Sequence, residues 1–106
     1  MATFDEVRTA LRAGRYRSSE HGGDELLADD LVEEDVVAAS IAGEVIENYP
    51  RAVPRPSCLV LSRLDDGSPV HAVWAFDARN GYAVMVTAYR PDPARWSADF
   101  RKRVKR

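Results

Sequence analysis

Ser57-Cys58-Leu59-Val60-Leu61-Ser62-Arg63-Leu64, Val70-His71-Ala72-Val73-Trp74-Ala75-Phe76-Asp77 and Tyr82-Ala83-Val84-Met85-Val86-Thr87-Ala88-Tyr89 are three runs with strand composition. Asp65-Asp66-Gly67-Ser68 and Ala78-Arg79-Asn80-Gly81 separate them. Asp-Gly and Asn-Gly between such runs are strong hairpin signals, because the turns they favour need positive φ. The pattern predicts an antiparallel three-stranded meander from Pro56 to Tyr89. Period-two alternation then sorts the faces. If both loops hold an even number of residues, Cys58, Val60 and Ser62 share a face with His71, Val73 and Ala75, and with Val84, Val86 and Ala88. Leu59, Leu61 and Arg63 share the other with Ala72, Trp74 and Phe76, and with Met85, Thr87 and Tyr89. His71 then stands opposite Ser62, away from Arg63 and Tyr89, and a one-residue bulge would reverse that relation. Both faces are mostly apolar, so both need at least partial cover.

The cover is expected from helices on the N-terminal side. Thr3 is placed to cap a first helix, with Glu6 completing a capping box. Phe4, Val7, Ala10 and Leu11 fall on one side at helical spacing, and Gly14 ends the run. Tyr16 to Ser19 reads as a short extended piece or turn. His21-Gly22-Gly23 argues against a helix through that point, and Asp24 to Asp30 reads as a helical turn or two. Asp30 offers a cap for a second clear helix with Glu33 at the capping-box position, Val36, Val37 and Ile41 as its buried stripe, and Gly43 as its stop. Glu33, Glu34 and Asp35 suit the positive end of that helix and favour helix chemistry over a metal site. Glu44 to Tyr49 reads as an edge strand, and Pro50, Pro54 and Pro56 carry the chain to the meander. Beyond Arg90-Pro91-Asp92-Pro93, residues 94–100 suggest one helical turn, with Trp96 and Phe100 docking the tail. Residues 101–106 form a basic, frayed end.

The 106 residues are enough for one domain with a modest core, and 45% hydrophobic with 30% charged residues is a globular composition. The expected fold class is α+β, with N-terminal helices on a small antiparallel sheet in one domain over 1–106. No apolar run approaches a membrane span and the N-terminus has no signal-peptide pattern, so a cytoplasmic location is expected. The lone cysteine, Cys58, excludes an internal disulfide or multi-cysteine zinc site, and its apolar strand favours a buried hydrophobe over a nucleophile. Residues 1–50 hold four arginines against twelve acids, and residues 51–106 hold eleven Lys or Arg against five acids. That asymmetry offers a basic face to an anionic partner, or cancels within the fold; a pI near 5.6 speaks against a free nucleic-acid binder. No helix-spaced His pair, Cys-x-x-Cys, phosphate-binding glycine loop or nucleophile elbow is present, and no metal or cofactor is expected.

Three blocks carry a family resemblance: Gly43-Glu44-Val45-Ile46-Glu47-Asn48-Tyr49-Pro50; Pro56-Ser57-Cys58-Leu59-Val60-Leu61 with Pro69-Val70-His71-Ala72-Val73; and Val86-Thr87-Ala88-Tyr89-Arg90-Pro91-Asp92-Pro93-Ala94-Arg95-Trp96 with Phe100. Together they resemble the family called domain of unknown function 4258, over about Tyr16 to Arg101. That family resembles an outlying branch of the RelE/ParE-like toxins. The resemblance implies helices on an antiparallel sheet, a bacterial toxin–antitoxin pair with an antitoxin partner, sometimes of zinc-finger type, and metal-independent endoribonuclease activity on RNA. The chain departs from the family's pattern where His21 runs into Gly22, Gly23, Asp24 and Glu25 rather than a helix bearing a basic residue.

Such cleavage needs proton transfer and positive charge on the phosphate. Imidazole serves the first, with its ordinary pKa of about 6.5, and arginine's planar fork serves the second. The expected catalytic residues are His71 and Tyr89, and the expected RNA contacts are Arg90, Arg63 and Lys102, with His21 a further candidate. A lone mid-strand histidine is more often a hydrogen-bonded structural residue, which is the competing reading of His71. The alternative function is a non-catalytic interaction domain of the same fold. It would bind an antitoxin or regulator, or homodimerise, through the Glu44–Tyr49 edge or the acidic helix from Glu33.

Overall fold

The computed structural model describes residues 2–104, with the side chains of Ala2 and Thr3 left aside. The Thr3 cap and the last two basic residues, Lys105 and Arg106, therefore lie outside what is described. The elements are α1 (Ala2–Arg12), β1 (Tyr16–Ser18), α2 (Glu20–Ala28), α3 (Glu33–Ile41), β2 (Glu44–Tyr49), β3 (Ser57–Arg63), β4 (Pro69–Asp77) and β5 (Tyr82–Tyr89). They form an α+β fold on one five-stranded sheet in the order β1-β5-β4-β3-β2. The meander is present, and β2 is an edge strand antiparallel to β3. The sheet is mixed rather than wholly antiparallel, because the short extended piece after α1 lies parallel to β5.

Side chains from α1, α2 and α3 cover one sheet face, where Val7, Val36, Cys58, Val60, Ala72, Trp74 and Met85 form a continuous core. Trp74 is fully buried, and its indole N–H donates to Ser40 Oγ at 3.0 Å. That bond lets a helix serine sit in the core without an unpaired hydroxyl. Cys58 is also fully buried, and burial pushes its thiol up to about 11. It is packing material, as its strand context suggested.

The even-loop register does not hold. The β3–β4 connection, residues 64–68, has five residues, so Leu61 rather than Ser62 stands opposite His71. A bulge between β4 and β5 leaves Val86 without a partner and brings Tyr89 opposite His71. Arg63, His71 and Tyr89 thus share the face away from the helices, with Leu59, Leu61 and Val73. Gly67 and Gly81 do take the positive φ that the two turns require.

Two helix readings are also corrected. α2 runs straight through His21-Gly22-Gly23, because Ser19 caps it: the Ser19 hydroxyl accepts from the Gly22 amide at 3.0 Å. Gly22 is there for close approach. A Cβ at that position would stand 2.7 Å from the Met85 carbonyl oxygen and 3.2 Å from that of Val86. Asp30 does not cap α3, whose N-cap is Val32 with no side-chain bond. It closes α2 instead, at φ 54°, with Leu31 N–H on Leu26 O and Asp30 N–H on Leu27 O. This is a Schellman ending with Leu26 and Leu31 both buried beneath it.

The tail forms no helical turn. Ser97 N–H donates to Lys102 O and Val104 N–H to Arg95 O, making a tight ribbon whose turn is held by Ser97 and Asp99. Nor is the segment frayed through Val104. Arg101 forks onto Glu44 and Arg103 onto Glu47, both acids of β2.

Candidate functional site

The candidate residues fall into two places. His71, fully buried, sits under the tail. Trp96 meets its ring edge-on at a centroid distance of 4.4 Å, and Tyr89 does so at 5.3 Å. Nε2 lies 2.9 Å from the Phe100 carbonyl oxygen, which can only accept, so Nε2 carries the proton. Nδ1 is then the acceptor for the Tyr89 hydroxyl at 3.2 Å. Both ring nitrogens are engaged. Desolvation holds His71 below its ordinary 6.5 against the opposing pull of the Phe100 carbonyl and Glu47, and burial raises the Tyr89 phenol. Arg103, stacked 4.8 Å over Trp96 and paired with Glu47, adds a cationic contribution that also lowers His71.

The sign of the histidine shift fixes a pH dependence. A depressed imidazole contributes stability that is present above its ordinary pKa and is lost as pH falls through 6.5 towards the folded value. Unfolding measured between pH 7.5 and 5 should therefore show stability falling with a slope of at most about 1.4 kcal/mol per pH unit for that one proton. His71→Gln should flatten the slope. Glu44, Glu47, Asp66, Asp77 and Asp99 are all held below their ordinary pKa by hydrogen bonds, so their contributions are lost only at more acid pH.

The second place is an open groove of about 690 Å³ between α3 and the β3–β4 turn. It is lined by Arg63, Arg90 and Arg101 and by Asp35, Glu44, Asp65 and Asp66. At its floor β3 outruns β2: Leu61 still pairs with Glu44, whereas Ser62 and Arg63 have partners only on β4. Arg90 is a clamp on the end of α2. Its guanidinium donates to Asp29 O at 3.0 Å and Asp30 O at 3.3 Å, where the helix dipole favours a cation. Among the described residues the Arg63 guanidinium donates to Gly67 O alone, at 3.2 Å, and lies 5.8 Å from the Phe100 ring centroid. Lys102 is exposed on the tail ribbon and lines neither place; His21 is exposed on the first turn of α2.

Arg63 shares a sheet face with His71 and Tyr89, but it opens with Arg90 onto the groove, whereas the imidazole is sealed beneath the tail. Sequence reading offers the basic tail as a whole for RNA contact and does not single out Arg101, nor Glu44 and Glu47 as the acids that hold the tail. The signal for them was the opposed charge of the two halves, which is partly cancelled here between β2 and the tail.

No helix among the described residues is long and apolar enough to cross a membrane. No curated protein and no solved structure matches the chain. Residues 18–90, from the end of β1 to the close of β5, match the family model described as Domain of unknown function (DUF4258), which is well over half of the chain. The chain therefore belongs to the DUF4258 family.

Proposed function

We propose that this domain acts by binding a protein partner rather than by catalysis. The observation that carries the reading is the separation of chemistry from access. The imidazole suited to proton transfer is buried with both nitrogens occupied. The open groove is lined by arginines and carboxylates and by no histidine, cysteine or tyrosine. Its carboxylates Glu44 and Asp66 are held below their ordinary pKa, which makes them poor bases near neutrality. Fixed charges of both signs, with an open strand edge beneath them, suit a mixed-charge segment of a partner chain. The family resemblance to RelE/ParE-like toxins suggests who that partner is: a cognate antitoxin or regulator in a bacterial cytoplasm, of zinc-finger type in some pairs.

The test is co-expression with the product of the neighbouring gene. Co-purification is expected, and Arg63→Glu should weaken the complex at least tenfold while Lys102→Glu leaves it unchanged. A monomer that ignores the neighbour, or a complex indifferent to Arg63→Glu, would reject the reading.

One observation favours the toxin reading, a metal-independent endoribonuclease: Arg63 and Arg90, both expected to contact RNA, stand in one groove with Arg101. The same experiment decides it. Arrest of growth on induction of the domain alone, relieved by His71→Ala, would replace the binding role with cleavage.

A further inference from the structure

The arginines at the other end of the sheet have no part in the groove. β4 runs nine residues from Pro69, beside the β3–β4 turn, to Asp77, which places the two ends about 26 Å apart at strand rise. At the Asp77 end, Arg15 lies along the 78–81 turn. Its Nε donates to Gly81 O at 3.0 Å and its Nη2 to Asn80 O at 2.8 Å. Both acceptors are neutral, so they fix the plane of the guanidinium and leave its charge uncompensated. The turn is shaped for this, since a Cβ on Gly81 would come within 3.0 Å of Arg15 Nη2. Arg15 also stacks 4.8 Å over the Tyr82 ring, with Arg17 at 6.0 Å from the same ring.

Arg17 and Arg55 share one carboxylate. Arg17 Nη2 is 2.9 Å from Asp77 Oδ2, and Arg55 Nη2 is 3.7 Å from the same oxygen. Asp77 also accepts from the backbone and side-chain nitrogens of Asn80, and these bonds keep its carboxyl below the ordinary range. Two guanidinium groups therefore share one buried acid, Arg15 stands beside them on the neutral carbonyls of the turn, and Arg79 adds an exposed fourth arginine from the turn itself. Asp5 and Glu6 line the shallow pocket on the α1 side of Arg15, and among the described residues neither pairs with an arginine.

We infer that Arg15, Arg17 and Arg55, oriented by Asp77 and the 78–81 turn, bind the phosphodiester backbone of a single-stranded nucleic acid. This goes beyond the partner-binding reading and does not depend on it. Oriented guanidinium forks match the paired oxygens of a phosphate better than the varied spacing of acids along a peptide. The guanidinium groups take up the Tyr82 ring, so recognition runs through the backbone and not through stacked bases. Binding is accordingly indifferent to sequence and steeply dependent on salt. Three phosphate contacts on a single strand correspond to a slope of about −2 in log K against log salt.

The experiment is fluorescence anisotropy of the full chain with a labelled single-stranded 12-nucleotide RNA across a salt series. The double variant Arg15→Gln/Arg17→Gln should bind at least tenfold more weakly, with a slope shallower by about 1.4. Arg95→Gln, exposed on the tail and paired only with Asp92 among the described residues, should bind as the parent does. Thermal unfolding of each variant separates lost binding from lost fold, and Arg15→Lys, which keeps the charge without the fork, should be intermediate. Inorganic phosphate should compete only at high concentration, and polyglutamate of equal length far less well than unlabelled RNA. Unchanged binding by the double variant, equal weakening by Arg95→Gln, or equal competition by polyglutamate would overturn the inference. Each of these leaves the groove's partner to be judged by its own co-expression test.

Discussion

Trp96→Ala should lower stability by about 3 kcal/mol and return His71 towards its ordinary acidity. Removing a buried tryptophan side chain costs about 3–5 kcal/mol where the site cannot collapse. The low end applies here, because the tail can lift and spare part of the cavity. For a chain of this size about 3 kcal/mol corresponds to a fall in Tm of about 15 °C. The second readout follows from geometry. Trp96 supplies the ring closest to His71 and anchors the ribbon whose Phe100 carbonyl holds Nε2. Without it water reaches the imidazole, the desolvation that depresses its pKa is relieved, and the titration midpoint moves up towards 6.5. Calorimetry and an NMR titration of the histidine ring measure the two effects. A variant that unfolds like the parent and whose His71 still titrates low would mean that the tail is not what seals the site. The ion pairs to Glu44 and Glu47 are too exposed to hold the tail by themselves.

Gly22→Ala and Gly23→Ala, one residue apart in the same helix, should shift stability in opposite directions. Gly23 has open space where a Cβ would go, and its φ is not positive. Alanine there should stabilise α2 by up to about 1 kcal/mol through helix propensity. At Gly22 the same gain is overridden. The added carbon would stand 2.7 Å from Met85 O, a backbone atom of a strand paired on both sides, which cannot swing aside as a flexible side chain would. The helix must retreat from β5 and loosen the packing of Leu26, at an overpacking cost of about 1–3 kcal/mol. The expected net result is a loss of about 1–2 kcal/mol for Gly22→Ala. Urea denaturation of the two variants side by side checks it, and equal shifts would sink the close-approach account.

These glycines also show where sequence reading stops. Two glycines in a row read as a break because local propensity is all that a single segment offers. Their tolerance depends on a strand some sixty residues away, and on Ser19, which supplies the cap. The meander was legible because its turn chemistry is local. Its register was not, because the 64–68 loop counts five residues and Val86 bulges, and each fact moves a whole set of side chains to the other face. Asp30 reads as the cap of α3 but ends α2, for a related reason. A residue between two helices can begin one or end the other, and only its backbone angle decides. Arg63 and Arg90 stand out by their chemistry alone, and the fold places both in one groove. Nothing in the spacing of His71 disclosed that a tail twenty-five residues on would close over it.

The first strand in the chain sits at one edge of the sheet, beside the last. β1 touches the sheet only through β5, with Tyr16 beside Ala83, and α2 rests its glycine on that same strand. A chain leaving the ribosome therefore has nowhere to seat Tyr16–Ala28 until residues beyond Tyr89 have emerged. Closing so distant a pair costs loop entropy before any contact repays it, which slows folding relative to a chain built from neighbouring hairpins. Through most of its synthesis the nascent domain must carry α2 unseated, the interval in which a chaperone or a co-translated partner finds it exposed.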